Sequence, residues 1–134
     1  MSVIRALILG ALIAPPAAAQ DRLTPTQFLD LVEQRTASFA TFPGRQPVGT
    51  EQFLSRTRTV WARANGTCAY GIVTAEDAQV CFDYDDDPPG VRHCWVPFLR
   101  DARLFVASVD DLGEVQEVVD LGDDPVACTQ APIS

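Results

Sequence analysis

The segment CFDYDDDPPGVRHCW, at residues 81–95, has a cysteine near each end and an acidic, proline-rich loop between them. The flanking residues are typical of strands, and the Pro-Pro-Gly sequence favours a turn. The midpoint between Cys81 and Cys94 falls inside this loop. The two cysteines should therefore face each other on adjacent antiparallel strands, where Cα atoms lie about 4.5 to 5.5 Å apart and a disulfide can form.

Strand alternation assigns the side chains of this hairpin to two faces. One face is apolar and is predicted to lie in the core; it comprises Val80, Phe82, Tyr84, His93 and Trp95. Cys81, Asp83 and Cys94 belong to the other face.

The acidic loop resembles a calcium-binding loop only in part. Asp83, Asp85 and Asp87 match its first, third and fifth positions, but Pro88 replaces the glycine at position six and Cys94 the glutamate at position twelve. Zinc is disfavoured because the chain has a single histidine and its cysteines do not follow a ligand spacing. We expect no metal and no cofactor, and we expect Asp83, Asp85, Asp86 and Asp87 to solubilise a tight turn.

A second hairpin is predicted at residues 57–73, TRTVWARANGTCAYGIV. Asn65-Gly66 is the favoured sequence of a two-residue type I′ turn. A loop of that length would place Trp61 opposite Tyr70 and Arg63 opposite Cys68.

The remaining pattern predicts one helix followed by strands. A helix is expected within residues 23–35, with Thr24 as its N-cap, Pro25 in the first turn and Gln27 completing a capping box. About six to eight short strands follow, including an ambiguous segment at 113–121 that we interpret as a strand. The predicted fold is mainly β: a small antiparallel barrel or half-barrel with one N-terminal helix, with a β-sandwich as the alternative.

Residues 1–19 are predicted to be a signal peptide, because Arg5 precedes an apolar run that ends near Ala17-Ala18-Ala19. The apolar run is too short to span a bilayer, and no transmembrane segment is predicted in the mature chain. Residues 20–134 then form a single domain, either periplasmic or secreted. Its four cysteines predict two disulfides; if Cys81 pairs with Cys94, Cys68 remains for Cys128.

Charge and motif content disfavour several functions. Without Arg5 the mature chain has nine arginines against 18 acidic residues, which argues against nucleic-acid binding. The chain has no GxSxG, HExxH or P-loop motif. We therefore expect a protein that is not an enzyme.

Several short motifs together resemble a loose group of small exported proteins from alphaproteobacteria, which share G-x-E-Q-[FY]-L, an arginine followed by a tryptophan, G-x-C-x-x-G, C-F-x-Y and C-W in this order. The matching residues are Gly49, Glu51, Gln52, Phe53, Leu54, Arg56, Val60, Trp61, Gly66, Cys68, Gly71, Cys81, Phe82, Tyr84, Cys94 and Trp95. The resemblance implies an exported, lipocalin-like β domain and implies no activity.

Two functional hypotheses follow. A small barrel can enclose a small apolar ligand, with Trp61, Tyr70, Phe82 and Trp95 as candidate lining residues, unless these side chains simply fill the core. Alternatively, the acidic loop and the negative charge suit a protein-interaction module or an inhibitor of a cell-envelope hydrolase, with a basic envelope protein as partner.

Overall fold

A computed structural model of the chain describes residues 12–14 and 20–128. The predicted signal peptide, residues 1–19, lies outside the described residues except for 12–14, which have no regular secondary structure. The elements in chain order are β1 (Asp21–Arg22), α1 (Pro25–Val32), β2 (Thr36–Thr41), β3 (Pro47–Phe53), β4 (Arg58–Arg63), β5 (Cys68–Glu76), β6 (Gln79–Tyr84), β7 (His93–Arg100), β8 (Arg103–Ser108) and β9 (Val115–Gly122).

Strands β2 to β9 form a closed antiparallel barrel. Each strand pairs with the next one along the chain, and β9 pairs back with β2. The structure thus confirms the predicted mainly β fold and selects the barrel over the sandwich. Most of the ambiguous segment at 113–121 lies in β9, as predicted.

The short strand β1 completes one seam of the barrel. Strand β7 pairs with β6 through His93, Cys94 and Trp95, and with β1 through Phe98 and Leu99. Strand β1 therefore continues the pairing of β7 beyond the start of β6.

Helix α1 begins with the predicted capping box. The backbone N–H of Thr24 donates to Oε1 of Gln27 at 2.8 Å, and the backbone N–H of Gln27 donates to Oγ1 of Thr24 at 3.1 Å. The helix ends at Val32, three residues before the predicted end, because Glu33 has an extended ψ of 130°. It contacts both β5 and β7, and the Phe28 ring packs edge-on against Phe53 of β3. The helix therefore lies across the barrel interior and contributes to its core.

Both predicted disulfides are present. Cys81 lies opposite Cys94 in the β6–β7 ladder, as the hairpin prediction required, with a Cα–Cα distance of 4.1 Å. Cys68 is bonded to Cys128, which attaches the C-terminal segment to the start of β5. Disulfides form and persist in oxidising compartments, so the two bonds indicate such an environment.

The predicted register of the second hairpin is wrong by one residue. Trp61 pairs with Ala69 and not with Tyr70, and Cys68 pairs with Ala62 and not with Arg63. The loop has three residues: Gly66 donates its backbone N–H to the Arg63 carbonyl, and Arg63 donates to the Thr67 carbonyl. Gly66, with φ of 84°, supplies the left-handed residue that follows a type I turn in three-residue hairpin loops.

Candidate functional site

The interior of the barrel contains a cavity of about 300 Å³ that is partly open to solvent. This volume lies at the lower end of the range of small-molecule sites. The apolar part of its wall is mainly aromatic and consists of Phe28, Phe39, Trp61, Phe82, Tyr84 and Trp95, with Val80, Pro97 and Val106. The polar part of its wall consists of Glu51, Arg63, Asp87, His93 and Gln116. The aromatic side chains therefore do not fill the barrel completely.

Three of the four candidate lining residues reach this cavity: Trp61, Phe82 and Trp95. Tyr70 does not, because the one-residue register shift turns it to the outer surface, where 56% of the residue is exposed. The apolar face predicted for the first hairpin does face the interior: Val80, Phe82, Tyr84, His93 and Trp95 all line the cavity.

The sequence prediction did not include Glu51, the most buried polar residue of the cavity wall. Glu51 lies on β3 two residues before the fully buried Phe53, and only 2% of it is exposed. The Tyr84 hydroxyl donates a hydrogen bond of 2.8 Å to Oε2 of Glu51. Alternation with Phe53 along β3 was the signal that could have placed Glu51 inside the barrel.

One oxygen of this carboxylate is left without a partner. Oε1 of Glu51 and Oγ1 of Thr59 are both buried, and neither makes a hydrogen bond of adequate geometry. The Thr59 hydroxyl is nevertheless close enough to influence the carboxylate. Space for these groups depends on Gly71, because a Cβ at that position would lie 2.7 Å from Thr59 Oγ1 and 2.9 Å from Tyr84 Cε1.

Burial controls the protonation of this pair. Desolvation raises the pKa of Glu51 to about 7, and the hydroxyls of Thr59 and Tyr84 limit the rise because they favour the charged form. Burial and the neighbouring Glu51 carboxylate raise the pKa of Tyr84 well above its usual value. The Tyr84 phenol therefore keeps its proton at neutral pH, while Glu51 is a mixture of the acid and the carboxylate.

Arg63 and His93 of the cavity wall both contact the acidic loop. Arg63 forms a 2.7 Å ion pair with Asp86, and Nε2 of His93 lies 2.8 Å from Oδ2 of Asp87. The His93 ring also contacts Tyr84, with ring centroids 5.8 Å apart.

The other two aspartates of the loop are engaged as well. Asp83 pairs with Arg92 at 3.3 Å, and Asp85 accepts the backbone N–H of Tyr70 at 2.9 Å. The acidic loop is thus tied to the barrel by specific contacts, which corrects the expectation that it only solubilises a turn.

No cluster of three or more His, Cys, Asp or Glu side chains in residues 12–14 and 20–128 is arranged to hold a metal ion. Within the same part of the chain, no helix has the length and apolarity needed to cross a membrane.

Comparison with known proteins yields no relatives: no family model matches the sequence, and no curated protein or solved structure is significantly similar to it. The resemblance to small exported alphaproteobacterial proteins therefore stays a prediction.

Proposed function

We propose that this protein is an exported, non-catalytic binding module that holds a small apolar ligand inside the barrel. The observation that carries the proposal is the cavity of about 300 Å³ whose wall is largely aromatic. Such a wall offers a ligand a large apolar contact area, and burial of apolar surface contributes about 25 cal/mol per Å² before the costs of binding. The two disulfides support export, because they are typical of exported domains of this size.

The acidic interaction module has weaker support. Three of the four aspartates of the loop contact side chains of the same chain, namely Arg92, Arg63 and His93. These carboxylates are therefore less available to a basic partner than the sequence alone suggests. A salt-sensitive complex with one basic envelope protein, retained by a variant with a filled cavity, would favour this alternative.

Titration of the purified protein with n-propylbenzene, a small neutral aromatic hydrocarbon, tests the main proposal. We expect saturable binding that changes tryptophan fluorescence, because Trp61 and Trp95 line the cavity. Val106→Phe, which adds volume inside the cavity, should abolish this binding. Ile72→Phe, at a position that is 58% exposed on β5, is the matched control and should leave it intact.

The proposal is wrong if n-propylbenzene does not bind the wild-type protein at any accessible concentration. It is equally wrong if Val106→Phe, shown to be folded by circular dichroism, binds as tightly as Ile72→Phe. Mass spectrometry of the protein from its native host, under non-denaturing conditions, then identifies the natural ligand.

A further inference from the structure

The cavity contains one charged group that the rest of the protein leaves uncompensated. Among the described residues no arginine or histidine forms an ion pair with Glu51, and Oε1 of this side chain has no hydrogen-bond partner. An unpartnered carboxylate oxygen with 2% of its residue exposed is costly to bury. Such a group in a cavity wall points to a ligand that completes it.

The other polar groups of the wall are already satisfied. Arg63 pairs with Asp86, and His93 contacts Asp87. The side-chain amide of Gln116 donates to Oε1 of Glu114 at 2.9 Å. The open polar group of the cavity wall is therefore Oε1 of Glu51, which can accept a hydrogen bond; Thr59 does not line the cavity.

We infer that the ligand is a small organic amine with an apolar body of about one ring, whose ammonium group pairs with Glu51; this inference rests on the proposed function of the cavity. An ammonium group has three donors and a positive charge, so it can donate to Oε1 of Glu51 and compensate the carboxylate. Aromatic rings such as Trp61 and Tyr84 also attract a cation that lies over their faces.

The same geometry disfavours other ligand chemistries. An anionic ligand would meet the Glu51 carboxylate as a like charge in a place where water does not screen it. A hydrocarbon would leave Oε1 unpaired and would bind only through the apolar walls. An amine alone satisfies the open acceptor and compensates the charge.

The inferred pairing requires ionised Glu51, so affinity for the amine should rise with pH. The charged and titratable groups that share the cavity wall are Arg63 of β4, Tyr84 of β6, Asp87 of the acidic loop and His93 of β7. Because the pKa of Glu51 is about 7 in the free protein, binding of a cationic amine should be about tenfold weaker at pH 6 than at pH 8.

The test uses two ligands of nearly identical shape, 2-phenylethylamine and n-propylbenzene. The first has an ammonium group where the second has a terminal methyl group. Calorimetry on the wild type at pH 8 should give tighter binding of the amine. In Glu51→Gln the amine should lose at least tenfold in affinity and also its pH dependence, while n-propylbenzene should bind unchanged. Glu33→Gln, which removes the same charge from a solvent-accessible ion pair with Arg56 outside the cavity, should bind both ligands like the wild type.

The outcomes separate the two proposals. Tight binding of n-propylbenzene with equal or weaker binding of the amine, or an amine affinity that Glu51→Gln does not reduce, overturns the inference and leaves the apolar-ligand proposal standing. Failure of both ligands to bind the wild type overturns both. Imidazoles change charge between about pH 5 and 8, so the pH profile is repeated in His93→Gln, where the tenfold change should persist; its loss there would assign the effect to His93 and overturn the inferred role of Glu51.

Discussion

The Tyr84 hydroxyl donates a 2.8 Å hydrogen bond to Oε2 of Glu51 inside the barrel. These residues lie on β6 and β3, which are separated in the sheet by β4 and β5. The bond therefore connects two non-adjacent strands through the interior and holds the carboxylate in a place that water hardly reaches. The bond holds Oε2 of Glu51 in place, whereas Oε1 has no hydrogen-bond partner.

Replacement of Glu51 by glutamine should change how stability depends on pH. The folded state raises the pKa of Glu51 from 4.5 to about 7, so it favours the neutral acid. The resulting stabilisation is complete below the unfolded-state pKa and is lost as pH rises through about 7. Between pH 5 and 8 the wild type should lose about 2 to 3 kcal/mol of unfolding free energy from this group, and Glu51→Gln should not.

Urea unfolding at pH 5, 6, 7 and 8, with the disulfides intact, measures this difference. Tyr84→Phe is the companion variant. It lacks the hydroxyl that favours the charged carboxylate, so the pKa of Glu51 should be higher and the loss of stability should extend to higher pH than in the wild type. Parallel stability profiles for the wild type and Glu51→Gln would contradict the assignment.

Substitution of Gly49 should disturb the cavity through Trp61. A Cβ at Gly49 would lie 2.5 Å from Cζ2 of Trp61 and 2.8 Å from the backbone oxygen of Ala62, both too close for carbon. Gly49→Ala should therefore shift the indole, lower the unfolding free energy by about 1 to 3 kcal/mol and alter tryptophan emission. Gly122→Ala is the control, since its nearest neighbour would be Asp120 Oδ2 at 3.6 Å. Equal melting temperatures for the two variants would show that the Trp61 ring can move away from the added methyl group without loss of stability.

The two disulfides should differ in their contribution to stability. The bond between Cys68 and Cys128 spans 60 residues, and the bond between Cys81 and Cys94 spans 13. In the loop-entropy description their removal costs about 4 and about 3 kcal/mol. Denaturation of the two double alanine variants tests the order.

Limited proteolysis of the same variants gives an independent readout. Loss of the bond to Cys128 should expose residues 123–128 to cleavage, because two weak described anchors then remain. One is the hydrogen bond from the Val126 N–H to Gln52 Oε1 at 3.1 Å, and the other is an exposed ion pair between Asp123 and Arg35 at 3.6 Å. Cleavage of this segment in the Cys81→Ala/Cys94→Ala variant alone would refute the expectation.

The acidic loop should contribute a little to stability and nothing to calcium binding. In the triple variant Asp85→Asn/Asp86→Asn/Asp87→Asn the ion pair with Arg63 loses its charge, although asparagine still accepts hydrogen bonds. Exposed pairs of this kind contribute about 1 kcal/mol or less, so the melting temperature should fall by a few degrees at most. Millimolar calcium should not change the melting temperature of the wild type, and a rise of several degrees that the triple variant lacks would reveal a metal site.

The first hairpin was predictable because two independent constraints agree on one register. The loop midpoint places Cys81 opposite Cys94, and the same register gathers Phe82, His93 and Trp95 on one apolar face. A slip by one residue would have violated both. The capping box at Thr24 and Gln27 was predictable for a similar reason, since it depends on residues three positions apart.

The second hairpin shows where local sequence is insufficient. A glycine with positive φ suits both the two-residue loop and the three-residue loop, so Asn65-Gly66 does not distinguish them. The choice of the longer loop moves Tyr70 from the cavity to the surface. Glu51 was missed for a different reason. Alternation with Phe53 along β3 could have placed it on the inner face, but its contact with Tyr84 results from closure of the barrel and cannot be deduced from either strand alone.

Closure of the barrel also bears on the protein's behaviour in crowded surroundings. A sheet with a free edge can recruit strands from other chains, and such recruitment is a route to aggregation. Here β9 pairs with β2, and β1 pairs with the part of β7 that lies beyond its pairing with β6. Each long strand of the described residues therefore has a neighbour on both sides. Closure of the barrel thus removes the free edges at which strands of other chains could pair. Many sheet proteins place lysines on exposed edges for this purpose, whereas this chain contains no lysine.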